Sequence, residues 1–230
     1  MRYRPKNVCF DQVSGVMLSR RNSVFRSAMD LRHSARRLAL GLASRCTRLA
    51  VWLGLVAIVA VFISIVAAPG PIGLLGAGLA LVMLAIAVID FRSFTIPNSL
   101  NAAGFGLAIV NAAVQQPEAM LTAVVIAVLR GAAFALILLA IRVVYARLRG
   151  RHGLGFGDVK LAGVAGAWLD WTIMPIALEL AAFAALIGYL ARQLLFHRSI
   201  SAFDRVPFGL FFAPAIWICW LIQATWPELF

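Results

Sequence analysis

The stretch GFGDVK at residues 155–160 places an aspartate, Asp158, at the start of an apolar segment. A second aspartate, Asp90, ends an earlier apolar run in the sequence IDFR at residues 89–92. Ionisable side chains inside or beside a bilayer are costly, and they usually mark a functional site. The two carboxylates therefore predict an acid–base pair at the boundary of a membrane.

The composition of the chain indicates an integral membrane protein. Of its 230 residues, 63% are hydrophobic and 13% are charged, whereas soluble domains average about 45–50% and about 25%. Several apolar segments approach the ~20 residues that cross a bilayer. We place the segments at 49–68, 71–89, 99–115, 119–141, 158–173, 174–191 and 207–225. The predicted fold is an all-α polytopic membrane protein with about seven transmembrane helices.

The basic N-terminal region differs from the rest of the chain. Residues 1–48 hold eleven Lys and Arg but two Asp, within a chain of net charge +12. This pattern predicts a cytoplasmic tail, partly disordered or interfacial, that contacts anionic lipid head groups. The tail shows no marked run of aromatic residues interleaved with the basic ones, as a nucleic-acid arm would. The apolar run from Leu49 exceeds the ~7–15-residue core of a signal peptide, so residues 49–230 are predicted to form a transmembrane domain that begins with a retained anchor.

The distribution of charge predicts the orientation of the segments. Suppose that the tail is cytoplasmic and that successive segments cross the membrane in alternating directions. The cytoplasmic connections then carry Lys and Arg, whereas the connections on the opposite side carry Glu118, Asp170 and Glu228. The positive-inside rule then predicts a cytoplasmic N-terminus and a non-cytoplasmic C-terminus. Two complete segments separate Asp90 from Asp158, so both acids are expected at the cytoplasmic face.

One basic residue lies outside this pattern. Arg130 falls in the middle of the fourth segment. A guanidinium group at that depth must snorkel or find a partner within the bundle. We expect a structural role for it, with Glu179 of the sixth segment as its partner.

The two aspartates have a chemistry that suits hydrolysis. Carboxylates within hydrogen-bond reach cannot both ionise cheaply, so near neutral pH one takes a proton from water while the other donates one. Taken singly, Asp90 could instead pair with Arg92, and Asp158 could cap a helix. Gly155 and Gly157 favour the functional interpretation, because glycine allows another chain to approach closely.

No cofactor or metal is needed for this chemistry, and the sequence predicts none. The glycines of residues 153–157 lack the preceding strand of a nucleotide-binding fingerprint, since a basic loop and an apolar helix flank them. The three histidines and three cysteines are scattered along the chain without ligand spacing.

Three motifs together resemble the type IV prepilin peptidases, which are membrane aspartic peptidases of the GxGD type. They are DFR at 90–92 with IPN at 96–98, GFGDVKL at 155–161, and VPFG at 206–209. The resemblance implies that Asp90 and Asp158 are the catalytic acids. The motif residues that would border the active site are Arg92, Pro97, Gly155, Gly157, Lys160, Pro207, Phe208 and Gly209.

The resemblance also implies a substrate and a location. The expected activity is removal of the leader peptide from type IV pilin or pseudopilin precursors at the cytoplasmic face of the inner membrane, in pilus assembly and protein secretion. The expected partners are prepilin-like substrates and the lipid bilayer, with no nucleic acid. Longer members carry paired C-x-x-C motifs associated with N-methylation, and their absence from this sequence implies a peptidase-only short form.

Two other interpretations use the same acids. An intramembrane protease of the presenilin or signal-peptide-peptidase kind would pair its GxGD motif with Pro-Ala-Leu near the C-terminus, where this chain has PFG at 207–209. A proton-coupled transporter could use Asp90 and Asp158 as a relay. Such a transporter is expected to show an inverted repeat or broken midplane helices, and the sequence shows neither. Arg92 and Lys160, each two residues from an acid, could favour the ionised form of the nearer carboxylate.

Overall fold

The computed structural model describes residues 47–150, 153–196, 207–226 and 228. These residues contain seven α-helices and no strand, so the predicted all-α fold is confirmed. The helices are α1 (Thr47–Ala67), α2 (Pro71–Ser93), α3 (Asn98–Gln115), α4 (Met120–Arg149), α5 (Phe156–Trp168), α6 (Ile173–Phe196) and α7 (Phe208–Thr225). Residues 1–46 of the predicted tail lie outside the described residues, as does Val206 of the last motif.

The chain divides into two compact units, residues 1–55 and 56–230. The described part of the first unit is the beginning of α1, from residue 47 to residue 55, where most side chains are exposed. The second unit contains the remainder of α1 together with α2–α7. Both predicted acids belong to the second unit.

Five of the helices are long and apolar enough to cross a membrane. They are α1, α2, α4, α6 and α7, with 18 to 30 residues and mean hydropathies of 1.6 to 2.9. Large apolar side chains on their outer faces are exposed, including Phe62, Leu129 and Ile187. Helices that expose apolar side chains on the outside of a bundle are typical of proteins surrounded by lipid. The chain is therefore a multi-pass membrane protein.

The helix α5 is shorter than its predicted segment, 158–173. It ends at Trp168 after 13 residues, because Leu169 adopts an extended backbone. At 1.5 Å per residue its length is about 20 Å, less than the ~30 Å hydrocarbon core. Ten of its residues are buried. It is thus an inner helix enclosed by its neighbours, and its small side chains suit that position.

The helices α2 and α7 run antiparallel. Near the end of α2, the Asp90 carboxylate accepts a hydrogen bond from the Leu210 N–H at the start of α7. Near the start of α2, Gly76 lies against the indole of Trp220, close to the end of α7. The end of α2 and the start of α7 therefore lie at one end of the bundle.

The helices α4 and α5 are also antiparallel. Asp158 lies at the same end as Asp90, because a Cβ on the neighbouring Gly157 would lie 3.1 Å from Ile96 in the loop that follows α2. Arg142, in the C-terminal half of α4, lies over the ring of Phe156, the first residue of α5. Arg130, nearer the start of α4, bonds to Asp170 just beyond the end of α5. We call the end of the bundle that contains Asp90, Asp158 and the first turn of α7 the acid end.

Arg130 pairs with Asp170, so the prediction of Glu179 as its partner is wrong. The Arg130 guanidinium donates to the Asp170 carboxylate, which also accepts a 2.8 Å hydrogen bond from Nε2 of Gln223. Glu179 is an exposed residue of α6. The antiparallel packing of α4 and α5 places residue 170 next to residue 130. A guanidinium group inside a bundle pairs with a carboxylate that lies within reach. The structural role expected for Arg130 agrees with this pairing.

Glycines set the close approach of α4 and α5. A Cβ placed on Gly131 would lie 2.6 Å from the carbonyl oxygen of Gly163. One placed on Gly166 would lie 2.6 Å from the ring of Phe134 and 2.8 Å from the Arg130 carbonyl oxygen. Helices in lipid associate through such small residues, since apolar burial alone does not drive them together.

We expect Gly131→Ala to destabilise the folded protein by about 1–3 kcal/mol, because the added methyl group overpacks the contact between α4 and α5. The matched control is Gly106→Ala in α3, where a Cβ would meet no atom within 4 Å. Thermal unfolding in detergent measures both variants. Equal midpoints for the two would contradict the close packing.

Candidate active site

Asp90 lies in the last turn of α2, and its buried carboxylate is held by the start of α7. Its Oδ2 accepts the backbone N–H of Leu210 at 3.0 Å, and the N–H of Gly209 also interacts with this carboxylate. The first N–H groups of a helix have no partner within the helix and favour a negative charge. The Pro-Phe-Gly motif therefore borders Asp90 through its backbone.

Asp158 is the third residue of α5, and it is held in a similar way. Its Oδ2 accepts the N–H of Gly155 at 3.2 Å, so the side chain turns back over the start of its own helix. A Cβ on Gly155 would lie only 3.0 Å from that oxygen. Asp158 is buried, with 9% of its surface exposed. Both carboxylates are thus buried at the N-terminus of a helix.

The structure brings the two acids together at the acid end. One side chain, that of Ile96, contacts the glycine beside each acid. A Cβ on Gly157 would lie 3.1 Å from Cβ of Ile96, and a Cβ on Gly209 would lie 2.9 Å from its Cδ1. The site is therefore formed by α2, α5, α7 and the loop before α3.

Lys160 contacts the start of α3 and the first residue of α5. Its Nζ donates to Oδ1 of Asn98 at 2.7 Å and lies 4.9 Å from the centre of the Phe156 ring. Arg142 lies 5.2 Å from the same ring centre. The cation–π contact of Arg142 joins α4 to the start of α5. The hydrogen bond of Lys160 joins α5 to the start of α3.

Arg92 does not pair with Asp90. It is exposed in the last turn of α2, and within the described ranges the single ion pair is that of Arg130 with Asp170. The alternative interpretation of Asp90 as half of an interfacial ion pair is therefore wrong. The alternative interpretation of Asp158 as the cap of a helix is wrong in position, because Gly155 is the N-cap of α5 and Asp158 is its third residue. Its carboxylate nevertheless accepts the N–H of Gly155, a contact that is compatible with a catalytic role.

The two motif prolines fix where helices begin. Pro97 is the N-cap of α3, with φ −63°, and Pro207 is the N-cap of α7, with φ −68°. Proline suits such positions because its ring fixes φ and no N–H is lost from the helix. Phe208 follows Pro207 and packs its ring 5.4 Å from that of Phe212. These residues border the site by positioning helix starts.

Three residues of this region were missed among the predicted site residues. Ile96 and Asn98 lie in the quoted IPN motif but were not assigned a role there, although the motif itself was a signal. Arg142 had no signal in the sequence, because it reaches Phe156 only through the packing of α4 on α5. Within the described residues, no three His, Cys, Asp or Glu side chains come together as metal ligands.

The fold and this site define a class: a polytopic helical membrane protein with two buried carboxylates at one end of the bundle. The sequence model of the type IV leader peptidase family matches residues 77–190, which include both acids. The chain belongs to the type IV leader peptidase family.

Curated relatives carry names that agree with this family. The prepilin leader peptidase/N-methyltransferase of Aeromonas hydrophila is 29% identical over 172 residues, which cover 73% of this chain and 56% of the relative. The protein of the same name from Burkholderia pseudomallei is 35% identical over 149 residues, which cover 63% of this chain and 45% of the relative. Leader peptidase HopD of Escherichia coli is 42% identical over 71 residues, which cover 31% of this chain and 45% of the relative. The chain spans about half the length of these relatives, and no solved structure matches it.

Proposed function

We propose that this chain is an aspartic endopeptidase that removes the leader peptide from prepilin-like precursors, either type IV pilins or pseudopilins. The observation that carries the proposal is the placement of Asp90 and Asp158, two buried carboxylates at one end of a membrane bundle whose neighbouring glycines contact the same side chain, that of Ile96. The family and the names of the relatives supply the substrate class. The proposal covers peptide cleavage alone, and its biological setting is pilus assembly and protein secretion.

In the proposed mechanism, Asp90 and Asp158 share one proton and act on a water molecule. The ionised carboxylate takes a proton from the water molecule while the oxygen of that water attacks the scissile carbonyl carbon. The protonated carboxyl group gives its proton to the carbonyl oxygen, and a tetrahedral intermediate forms. When the C–N bond breaks, a proton passes to the leaving amine and the peptide carboxyl group is released. The pair titrates as a unit, so either acid can hold the shared proton.

The other motif residues are proposed to shape the site without exchanging protons. The glycines allow backbone to approach the carboxylates, the prolines fix the starts of α3 and α7, and the basic side chains add positive charge around the acids. In this proposal the site-shaping residues are Arg92, Pro97, Gly155, Gly157, Lys160, Pro207, Phe208 and Gly209.

We propose that the acid end faces the cytoplasm, with the protein in the inner membrane. The basic residues Arg142, Arg147, Arg149 and Lys160 lie on the parts of α4 and α5 at this end, and positive charge favours the cytoplasmic side. A cytoplasmic N-terminal tail and a non-cytoplasmic C-terminus follow from this orientation. At that boundary, water reaches the acids without crossing the hydrocarbon core.

We expect Asp90→Asn and Asp158→Asn each to lower the rate of cleavage at least about 10²-fold, because an amide keeps the shape of the side chain but cannot exchange the proton. The assay follows cleavage of a prepilin-like substrate by mass spectrometry. The matched control is Glu118→Gln, an exposed acid in the loop before α4, which should cleave normally. A folded Asp90→Asn or Asp158→Asn variant with near-normal cleavage would remove that acid from the mechanism.

A second prediction distinguishes leader cleavage from general intramembrane proteolysis. A substrate with a short basic leader, a small residue before the cut and an apolar helix after it should be cleaved once, at the junction. A bulky residue before the cut should suppress cleavage far more than replacement of one leader lysine by alanine. The reason is that the glycines beside Asp158 leave room for a close backbone fit. Fragment masses that place the cuts several residues inside the apolar helix would favour a presenilin-like protease.

A further inference from the structure

The loop between α2 and α3 holds one side chain, that of Ile96, in a restricted conformation. Phe94 ends α2 in the left-handed region, with φ 52° and ψ 32°, and the hydroxyls of Ser93 and Thr95 lie 2.9 Å apart in a hydrogen bond. Pro97 follows Ile96 directly, and a residue before proline is confined to extended backbone. The branched Cβ of isoleucine further limits rotation about χ1. Ile96 therefore has little freedom in its backbone or its side chain.

This restricted side chain lies between the starts of α5 and α7. A Cβ on Gly157, in the first turn of α5, would lie 3.1 Å from Cβ and 3.2 Å from Cγ1 of Ile96. A Cβ on Gly209, in the first turn of α7, would lie 2.9 Å from Cδ1 of the same residue. The whole length of the Ile96 side chain thus lies against the start of α5, with Cδ1 at 3.4 Å from the same Cβ position, and its tip also contacts the start of α7.

Each of these glycines also adjoins one of the acids. Gly157 is the residue before Asp158 in the chain. A Cβ on Gly209 would lie 2.9 Å from Oδ2 of Asp90 and 3.0 Å from its Cγ. The contacts therefore run in the order Asp158, Gly157, Ile96, Gly209, Asp90. A change in the size of Ile96 would be transmitted to both carboxylates through backbone that has no intervening side chain.

We propose that Ile96 is a positioning residue that sets the separation of the Asp90 and Asp158 carboxylates by spacing the start of α5 from the start of α7. This inference rests on the proposed peptidase function and adds a residue to it. Ile96 carries no group that can exchange a proton, so it acts only through the placement of the acids. A branched apolar side chain suits this role because it packs against both glycine backbones and adopts few rotamers.

Single substitutions that change the size or the branching of the side chain at position 96 test this positioning role. Ile96→Val keeps the branched Cβ against Gly157 but loses the Cδ1 that contacts Gly209, so we expect kcat to fall less than about tenfold. Ile96→Ala keeps Cβ but loses Cγ1 and Cδ1, and with them the contact with Gly209 and part of the contact with Gly157. Ile96→Leu keeps the volume but moves the branch point from Cβ to Cγ. For these two variants we expect kcat to fall at least about tenfold, with KM within about twofold, because displacement of catalytic groups by about 1 Å can cost up to about 10²-fold.

Double substitutions test whether the effect passes through the glycines. Gly157→Ala adds a methyl group against Ile96, so the Gly157→Ala, Ile96→Ala variant should be more active than either single variant, since the new methyl group replaces lost bulk. The matched control is Gly209→Ala with Ile96→Ala. There the added methyl group still presses on Asp90, so no recovery is expected. A merely structural role for Ile96 would not produce recovery at one glycine and none at the other.

The assay uses the full-length protein in detergent with a prepilin-like peptide, and Asp158→Asn serves as the blank. Thermal unfolding of each variant shows whether it is folded, and Ile96→Leu and Ile96→Val carry the test if Ile96→Ala does not fold. The positioning role of Ile96 is overturned if the folded Ile96 variants keep the wild-type kcat. It is also overturned if both double variants show only the product of their single effects. Absence of cleavage by the wild-type protein would overturn the proposed function itself.

Discussion

The structure depends on how two carboxylates are stabilised inside a bundle of apolar helices. A charged or polar group removed from water is costly unless it is hydrogen-bonded. Here the donors are backbone N–H groups at helix starts: Leu210 N–H for Asp90, and Gly155 N–H for Asp158. Helices have such free backbone donors where they begin. Both acids lie at the end of the bundle where α5 and α7 start, and there these donors hold them.

The arrangement of α5 follows from this constraint. Its first turn holds Asp158, and its thirteen residues cannot reach across the whole hydrocarbon core. Beyond its far end, Asp170 joins Arg130 of α4 and Gln223 of α7. Between the two ends, glycines of α4 and α5 bring the backbones into contact. Polar contacts thus hold α5 at both ends, with close backbone packing between them, and the helix presents Asp158 from a fixed position.

The sequence predicted the parts of this structure that local pattern determines. Hydropathy located all seven helices, and charge asymmetry with alternating segments placed Asp90 and Asp158 at a common end. The extended backbone at Leu169, which shortens α5, was not predicted, although Asp170 interrupts the apolar pattern directly after it. The motifs identified the acids and the glycines beside them before any contact was known.

The contacts between side chains of different helices could not be predicted from the sequence. The Arg130 partner was predicted wrongly because Asp170 becomes its neighbour only through the antiparallel packing of α4 and α5. Arg142 reaches Phe156 for the same reason. Ile96 stood in a recognised motif, but its position between Gly157 and Gly209 depends on two helix starts far apart in the chain. A single sequence does not specify such pairings.

The most direct test of the central claim is whether residues 90 and 158 meet in the membrane. Cysteines are placed at Asp90 and Asp158 in a chain whose three native cysteines are replaced by alanine. Isolated membranes are then treated with a short bifunctional thiol reagent. The control pair joins position 90 to Gln223, which belongs to the Asp170 cluster at the opposite end of the bundle. We expect mass spectrometry to detect linked peptides from the 90–158 pair and none from the 90–223 pair. Linkage of 90 to 223 without linkage of 90 to 158 would contradict the central claim.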